Sequence, residues 1–277
     1  MCSTLIAGRY VEIALYPLSY EEYLDFHNLS KSNETFQNYL KFGGFPSIVE
    51  LGKNIDRIND VLDGIYNTVI VKDVIAKNKI KDEELLQKIV MFLADNVGNS
   101  TSSNSIANSL IGGKRIENTR KSPATSTVEN YIGALEKAFV FYEAKRYDVK
   151  GKQLLKTLSK YYIVDIGLRN MLLGYRDVDR GHILENVVFL ELKRRGYNVF
   201  IGKVDDKEVD FIAEKASHKM YVQVCETLGD DKTLKRELAP LLAIQDNYEK
   251  FIITNDRTFV ESYKGIIVKN AADWLCE

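Results

Sequence analysis

The chain has 277 residues, 45% hydrophobic and 28% charged, with 38 lysines and arginines against 39 aspartates and glutamates. That length allows two or three domains of ordinary globular composition, and the even balance excludes a globally basic nucleic-acid binder, so any electrostatic footprint is local. Cys2, Cys225 and Cys276, like His27, His182 and His218, stand too far apart for a disulfide scaffold or a zinc cluster. No apolar run reaches the roughly 20 residues of a membrane span, so the expectation is a cytoplasmic protein without a membrane partner.

Leu5-Ile6-Ala7 leads through Gly8-Arg9 to a strand-like alternation at 10–13. One strand cannot bury its own faces, so this reads as the last piece of something larger or an edge of a neighbouring domain. Ser19 with Glu22 forms a capping box and predicts a helix through Tyr23, Leu24 and Phe26. Phe36, Tyr39 and Leu40, then Ile55, Ile58, Val61, Leu62, Ile65 and Tyr66, recur at helical spacing, with a break at Gly43-Gly44-Phe45-Pro46.

From Asp82 the pattern becomes a compact unit. Leu85, Leu86, Ile89, Val90 and Leu93 predict a helix ending near Gly98, and Thr101 or Ser102 caps a second through Ile106 and Leu110. A polar loop precedes a third helix, from about Thr125, that carries Val128, Tyr131, Ile132, Leu135 and Phe139. Strands at 141–147 and 161–164, turning at 148–152, predict a hairpin. This is the order of a winged helix, with the third helix as the one that enters a major groove. Between Asn99 and Lys160 eleven cations face five anions, a net +6 in a chain whose remainder carries −7. A basic segment of this kind points to double-stranded DNA, with candidate contacts Ser126, Thr127 and Asn130 on the third helix and Lys145, Arg146, Lys150 and Lys152 on the hairpin. The plainer reading is a solvated face on a unit used for protein contacts. Gly112-Gly113-Lys114-Arg115 has neither the spacing nor the hydroxyl of a phosphate loop, so no ATP site is expected.

The last hundred residues alternate helix and strand: helix 182–195, strands 197–201, 208–213 and 220–226, helix 231–246, strands 250–254 and 266–268, and a terminal helix around Trp274. This order resembles the PD-(D/E)XK nuclease core. Phosphodiester hydrolysis by such a core needs carboxylates to hold magnesium and a cation near the attacking water. Asp210 supplies the aspartate, and Glu208 shares its strand face. The partner strand should read Glu-x-Lys but reads Gln223-Val224-Cys225, an uncharged carbonyl and a thiol that cannot replace an ammonium. Glu226, by the period of two, points to the opposite face. Glu185 matches the acidic residue of the first helix. Glu185, Asp210 and Gln223 are therefore the candidate catalytic positions, and Asp210 and Gln223 the candidate metal ligands. Magnesium is a cofactor only if the frame is active, and the two departures predict a degenerate site. The plainer reading makes Glu185 a solvated or capping carboxylate and gives Asp210 a structural partner in Lys193 or Lys203.

The run Gly8 to Ile13, the run Pro17-Leu18-Ser19-Tyr20-Glu21-Glu22-Tyr23 and the run Tyr39 to Pro46 resemble the end of the ATPase core and the start of the helical lid in a group of archaeal and bacterial AAA+ ATPases. That group carries a C-terminal winged helix and a nuclease-like domain. The resemblance implies an α+β chain in three parts: the end of the core and the lid (1–80), a winged helix (81–175) and a small α/β PD-(D/E)XK-like domain (176–277), with the nucleotide-binding half outside the chain. The function it implies is a DNA- or protein-binding module with a degenerate nuclease-like domain. An active magnesium-dependent nuclease, and a scaffold docked on an ATPase subunit or on itself, are the alternatives.

Overall fold

The computed structural model describes residues 13–49, 51, 54–110, 123–155, 158–257 and 260–277. The strand-like run at 10–13, apart from Ile13, and the Gly112 to Arg115 run lie outside them.

The chain is a helical half followed by a mixed sheet. Helix α1 (Tyr20–Phe26) starts at the expected capping box, Glu22 N donating to Ser19 Oγ at 3.0 Å and Ser19 N to Glu22 Oε2 at 2.8 Å. Helix α2 (Asn33–Phe42) stops at Gly43, whose φ of 79° is the left-handed region open to glycine. Short α3 (Pro46–Val49), α4 (Ile55–Ile65), a π-helical stretch (Tyr66–Val74) and α5 (Ile75–Asn78) complete this layer. Helices α6 (Glu83–Asp95), α7 (Ser103–Ser109) and α8 (Thr125–Lys137) form where the apolar spacing predicts them, and α8 packs on both of the others.

The expected hairpin is divided. Strand β1 (Phe141–Ala144) pairs antiparallel with β4 (Lys160–Ile163), Phe141 opposite Ile163 and Ala144 opposite Lys160. Between them β2 (Arg146–Asp148) and β3 (Gln153–Leu154) turn away. β2 lies parallel to β5 (Asn198–Val204), Arg146 opposite Ile201, and so covers a backbone edge that would otherwise be left unpaired. Helix α9 (Ile166–Leu173), a 3-10 turn (Asp177–Asp179) and α10 (Arg180–Arg194) lead into the sheet.

Strands β5, β6 (Lys207–Lys215) and β7 (His218–Cys225) form an antiparallel meander. Helix α11 (Asp231–Leu242) crosses over to β8 (Glu249–Thr254), parallel to β7, and β9 (Ser262–Tyr263), β10 (Ile266–Asn270) and α12 (Ala271–Trp274) finish the chain. The sheet order is β3-β2-β5-β6-β7-β8-β10-β9, a mixed α+β arrangement. The larger core, containing Phe189, Phe211 and Val222, runs from Tyr20 to Leu275, while Val209, Ile212, Tyr221, Cys225 and Leu241 form a second core on the α11 side. Among the described residues no helix is long and apolar enough to cross a membrane.

Candidate functional site

Helix α10 packs against β4, β5, β6 and β7, so nearly its whole circumference is buried, including Ile183, Leu184, Val188, Phe189 and Leu192. Polar residues on such a helix must find partners inside the protein. Asn186 does so with the backbone of β4, accepting from Ile163 N at 2.8 Å and donating to Ile163 O at 3.0 Å. Glu185 does so with β4 side chains: Oε1 accepts from Tyr162 OH at 2.7 Å and from Lys160 Nζ at 3.0 Å. Tyr162 is held in turn by stacking on Phe189, 4.2 Å between centroids.

Lys160 is the centre of the arrangement. Its ammonium also lies 2.8 Å from Glu208 Oε1 and 3.7 Å from Asp210 Oδ1. Only 5% of its side chain is exposed, against 8% for Glu185, 13% for Asp210 and 34% for Glu208, so Glu208 marks the open side. On that rim Ser100 Oγ donates to Glu208 Oε2 at 3.4 Å, and His182 Nδ1 lies 3.8 Å from Glu185 Oε2. Gly98, at φ 74°, passes so close that a Cβ there would come within 3.0 Å of both Glu185 Oε2 and His182 Nδ1.

Strand β6 brings Glu208 and Asp210 to one place through an irregularity. Its register with β5 shifts between Phe200 and Gly202, and its ladder with β7 begins only at Phe211 opposite Val222. The backbone groups left over are satisfied reciprocally. Asp210 Oδ2 accepts from Val224 N at 2.8 Å, and Gln223 Oε1 accepts from Asp210 N at 3.3 Å. Gln223 Nε2 donates to Glu237 Oε2 of α11 at 2.9 Å, and Arg236 clasps Glu237 Oε1 at 2.6 and 2.9 Å.

The charges divide unequally. Burial raises the Asp210 carboxyl, and the Glu185 charge raises it further, while Lys160 and Val224 N pull it down; the balance leaves it at about 8. Burial acts on Glu185 in the same sense, yet Lys160, His182 and Tyr162 outweigh it and hold it below the ordinary carboxylate range. Burial alone lowers Lys160, but the charges of Glu185, Asp210 and Glu208 raise it on balance, so it stays an ammonium. Burial therefore favours the neutral form of Asp210, while Lys160 holds Glu185 in its charged form.

The structure thus gathers Glu185 and Asp210 about Lys160, and turns Gln223 to Glu237 instead. Cys225 is buried in the α11-side core, where burial pushes its thiol up to about 12. Glu226 faces away, 3.2 Å from Arg180 Nε. Asp210's cationic partner is neither Lys193 nor Lys203. The residues present do not fit a magnesium ion: an ammonium stands among the carboxylates, and Gln223's oxygen is engaged by Asp210 N. Among the described residues no three histidine, cysteine, aspartate or glutamate side chains are placed to share a metal. Sequence reasoning missed Lys160, Tyr162, His182 and Glu237. The one available signal was Lys160 leading Tyr161-Tyr162-Ile163, a lysine at the head of an otherwise apolar run.

Ser126 and Asn130 are exposed on α8 and Thr127 is half-buried. Lys145 lies 3.8 Å from Glu143, Lys150 Nζ donates to Asp205 at 2.6 and 2.7 Å, Arg146 is half-buried, and Lys152 is exposed at φ 51°. Lys114, Arg115, Arg120, Lys121 and Lys156 lie outside the described residues.

A family described as a domain of unknown function, DUF8612, matches residues 33–179. An uncharacterized protein of Haemophilus influenzae is 39% identical over 279 residues, covering 99% of this chain and 67% of the relative. An uncharacterized protein of Methanocaldococcus jannaschii is 30% identical over 280 residues, covering 93% of this chain and 60% of the relative. The chain therefore spans about two thirds of the length of these curated relatives. No solved structure matches it. These findings overturn the AAA+ ATPase resemblance: the matching family is a different one, and the relatives align along the whole chain instead of a C-terminal part. The runs that suggested it have local duties, Ser19 and Glu22 in the capping box, and Gly43-Gly44 where the turn presses on Asp165, which accepts from Gly44 N at 2.7 Å. The chain belongs to the DUF8612 family.

Proposed function

We propose that this chain is a non-hydrolytic module that binds double-stranded DNA, in which a winged-helix-like unit is joined to a PD-(D/E)XK-like frame. The frame reading is supported by the order α10, β5-β6-β7, α11, β8, with β7 and β8 parallel across the α11 crossover. The winged-helix reading is supported by α6, α7 and α8 followed by the β1–β4 pair.

One observation carries the loss of hydrolysis: the Lys160 ammonium lies between Glu185, Glu208 and Asp210 at 3.0, 2.8 and 3.7 Å. Carboxylates neutralised from within are poor ligands for magnesium, which demands near-octahedral oxygen donors. Exposed Ser126 and Asn130 on α8, with Lys152 and Lys145 nearby in sequence, are the contacts that favour a duplex. The Lys150–Asp205 pair and the pairing of β2 with β5 favour a second reading, docking of a protein, because they tie down part of the hairpin that a duplex would need.

A duplex titration across about 50 to 200 mM salt separates them. Affinity that falls steeply with salt supports the DNA reading, and an absent or salt-independent signal turns it to protein docking. Incubation with plasmid and magnesium or manganese is expected to leave the plasmid intact. Cleavage that disappears in Asp210→Ala would make the protein a nuclease.

A further inference from the structure

Three polar side chains meet at the opposite end of β7 from the Asp210 contact with Val224, and none of them belongs to the surfaces proposed to bind DNA or protein. Tyr197 stands in the turn between α10 and β5, after Gly196 at φ 83°, His218 opens β7 opposite Lys215 of β6, and Glu249 opens β8. Connections distant in sequence thus bring a phenol, an imidazole and a carboxylate together. Tyr197 OH and His218 Nδ1 are 3.2 Å apart, and His218 Nε2 and Glu249 Oε2 are 3.0 Å apart. The Tyr197 ring is half-buried against the larger core, which fixes its hydroxyl, while His218 and Glu249 keep 49% and 54% of their side chains exposed. Lys215 Nζ, held by donating to Arg195 O at 2.6 Å, lies 5.8 Å from the centre of the same ring.

The acceptors set the direction of the two hydrogen bonds. A carboxylate can only accept, so His218 Nε2 carries the proton, and the neutral ring then offers Nδ1 as an acceptor to the Tyr197 hydroxyl. Hydroxyl, base and orienting carboxylate stand in the relation that activates a side-chain nucleophile, which is weak while its proton has nowhere to go. We infer that Tyr197 is such a nucleophile, the acceptor of an acyl group from an activated acyl donor. In the transfer Tyr197 Oη bonds to the acyl carbon while its proton passes to His218 Nδ1, and Glu249 steadies the imidazolium. The bond from the acyl carbon to the leaving group then breaks, its electron pair departs with that group, and His218 returns the proton to it. His218 is the base that touches the reacting oxygen, and Glu249 is a positioning residue that acts through it.

The experiment treats the full chain near neutral pH with N-acetylimidazole, whose acyl C–N bond breaks to release imidazole, and follows each tyrosine by peptide mass spectrometry. Tyr248 is the reference: it is 48% exposed, so exposure alone would make it react faster than half-buried Tyr197. Tyr197 is expected to be acylated at least about tenfold faster than Tyr248. His218→Gln, which can still bond to the hydroxyl but cannot take its proton, should bring Tyr197 to the rate of Tyr248 or below. Glu249→Gln should slow Tyr197 several-fold and Glu249→Asp should restore part of the rate, with Tyr248 unchanged in each. All three variants should unfold within a few degrees of the parent, because both side chains are solvated. Acylation of Tyr197 no faster than that of Tyr248 overturns the inference. So does a Tyr197 rate that His218→Gln or Glu249→Gln leaves unchanged.

Discussion

Lys160 and Glu185, 25 positions apart in the chain, meet at 3.0 Å, and neither side chain is more than 8% exposed. Each makes the other's burial tolerable: the lysine keeps Glu185 ionised against desolvation, and the carboxylates keep Lys160 charged.

Removing one partner of that pair is expected to be far costlier than removing a surface ion pair. Glu185→Gln keeps the size of the side chain and an acceptor for Tyr162 but deletes the charge. A loss of about 3 kcal/mol in urea unfolding is expected, against less than about 1 kcal/mol for Lys88→Ala at the exposed Lys88–Glu84 pair.

The pH dependence follows from Asp210, whose folded-state pKa is raised to about 8 by burial and by Glu185. Its unfolded value is near 4, so the folded chain holds a proton that the unfolded chain has released. That contribution is complete below about pH 4 and is lost as the pH climbs through 8. Asp210→Asn has no such proton. Its urea midpoint should gain on that of the parent between pH 6 and 8, by up to about 1.4 kcal/mol per pH unit. Asp165, raised by burial to about 6, acts mainly at lower pH, and the lowered Glu185 contributes stability that is lost as pH falls. A parent-minus-variant difference that is flat with pH would place the proton elsewhere.

Gly43 joins the helical half to α9. Its φ is 79°, and a Cβ there would collide with Asp165 Oδ1, the carboxylate that accepts from Gly44 N and Leu168 N. Gly43→Ala should cost about 2 kcal/mol or more and lower the Tm by several degrees. A change under about 0.5 kcal/mol would mean that the turn relaxes freely.

Cys225 stands where the nuclease motif has its lysine, yet it is buried in the core that also holds Val209, Ile212, Tyr221 and Leu241. In a Cys2→Ser/Cys276→Ser background the native protein should not react with a thiol reagent at pH 8, and should react fully in urea, because burial keeps the thiol protonated. Cys225→Lys should destabilise the fold and restore no plasmid cleavage. An ammonium at that position would have to be buried on the α11 side, and the ammonium of the cluster already comes from Lys160.

Much of the fold is written in short-range pattern. The Ser19–Glu22 box, the helical spacing in α6 and α8, and the alternation of helix and strand after Arg180 all act within a turn or a strand, where propensity and burial periodicity decide the outcome. The shared strand face of Glu208 and Asp210 was legible from the period of two, whereas Glu185 was matched to them only through the resemblance to the nuclease core. Lys160 was not legible. In a charge tally it is one cation of a basic segment, and its burial depends on β4 passing beside α10 and over β6, whose carboxylates lie 25 to 50 residues further along the chain. The division of the hairpin has the same origin, since β2 leaves β1 and β4 to cover the edge of β5. Composition and spacing determined which charges this protein has and which elements carry them. Only the tertiary structure decided which charge neutralises which, because a buried ion pair is selected by the path of the surrounding chain and not by the residues beside it in sequence.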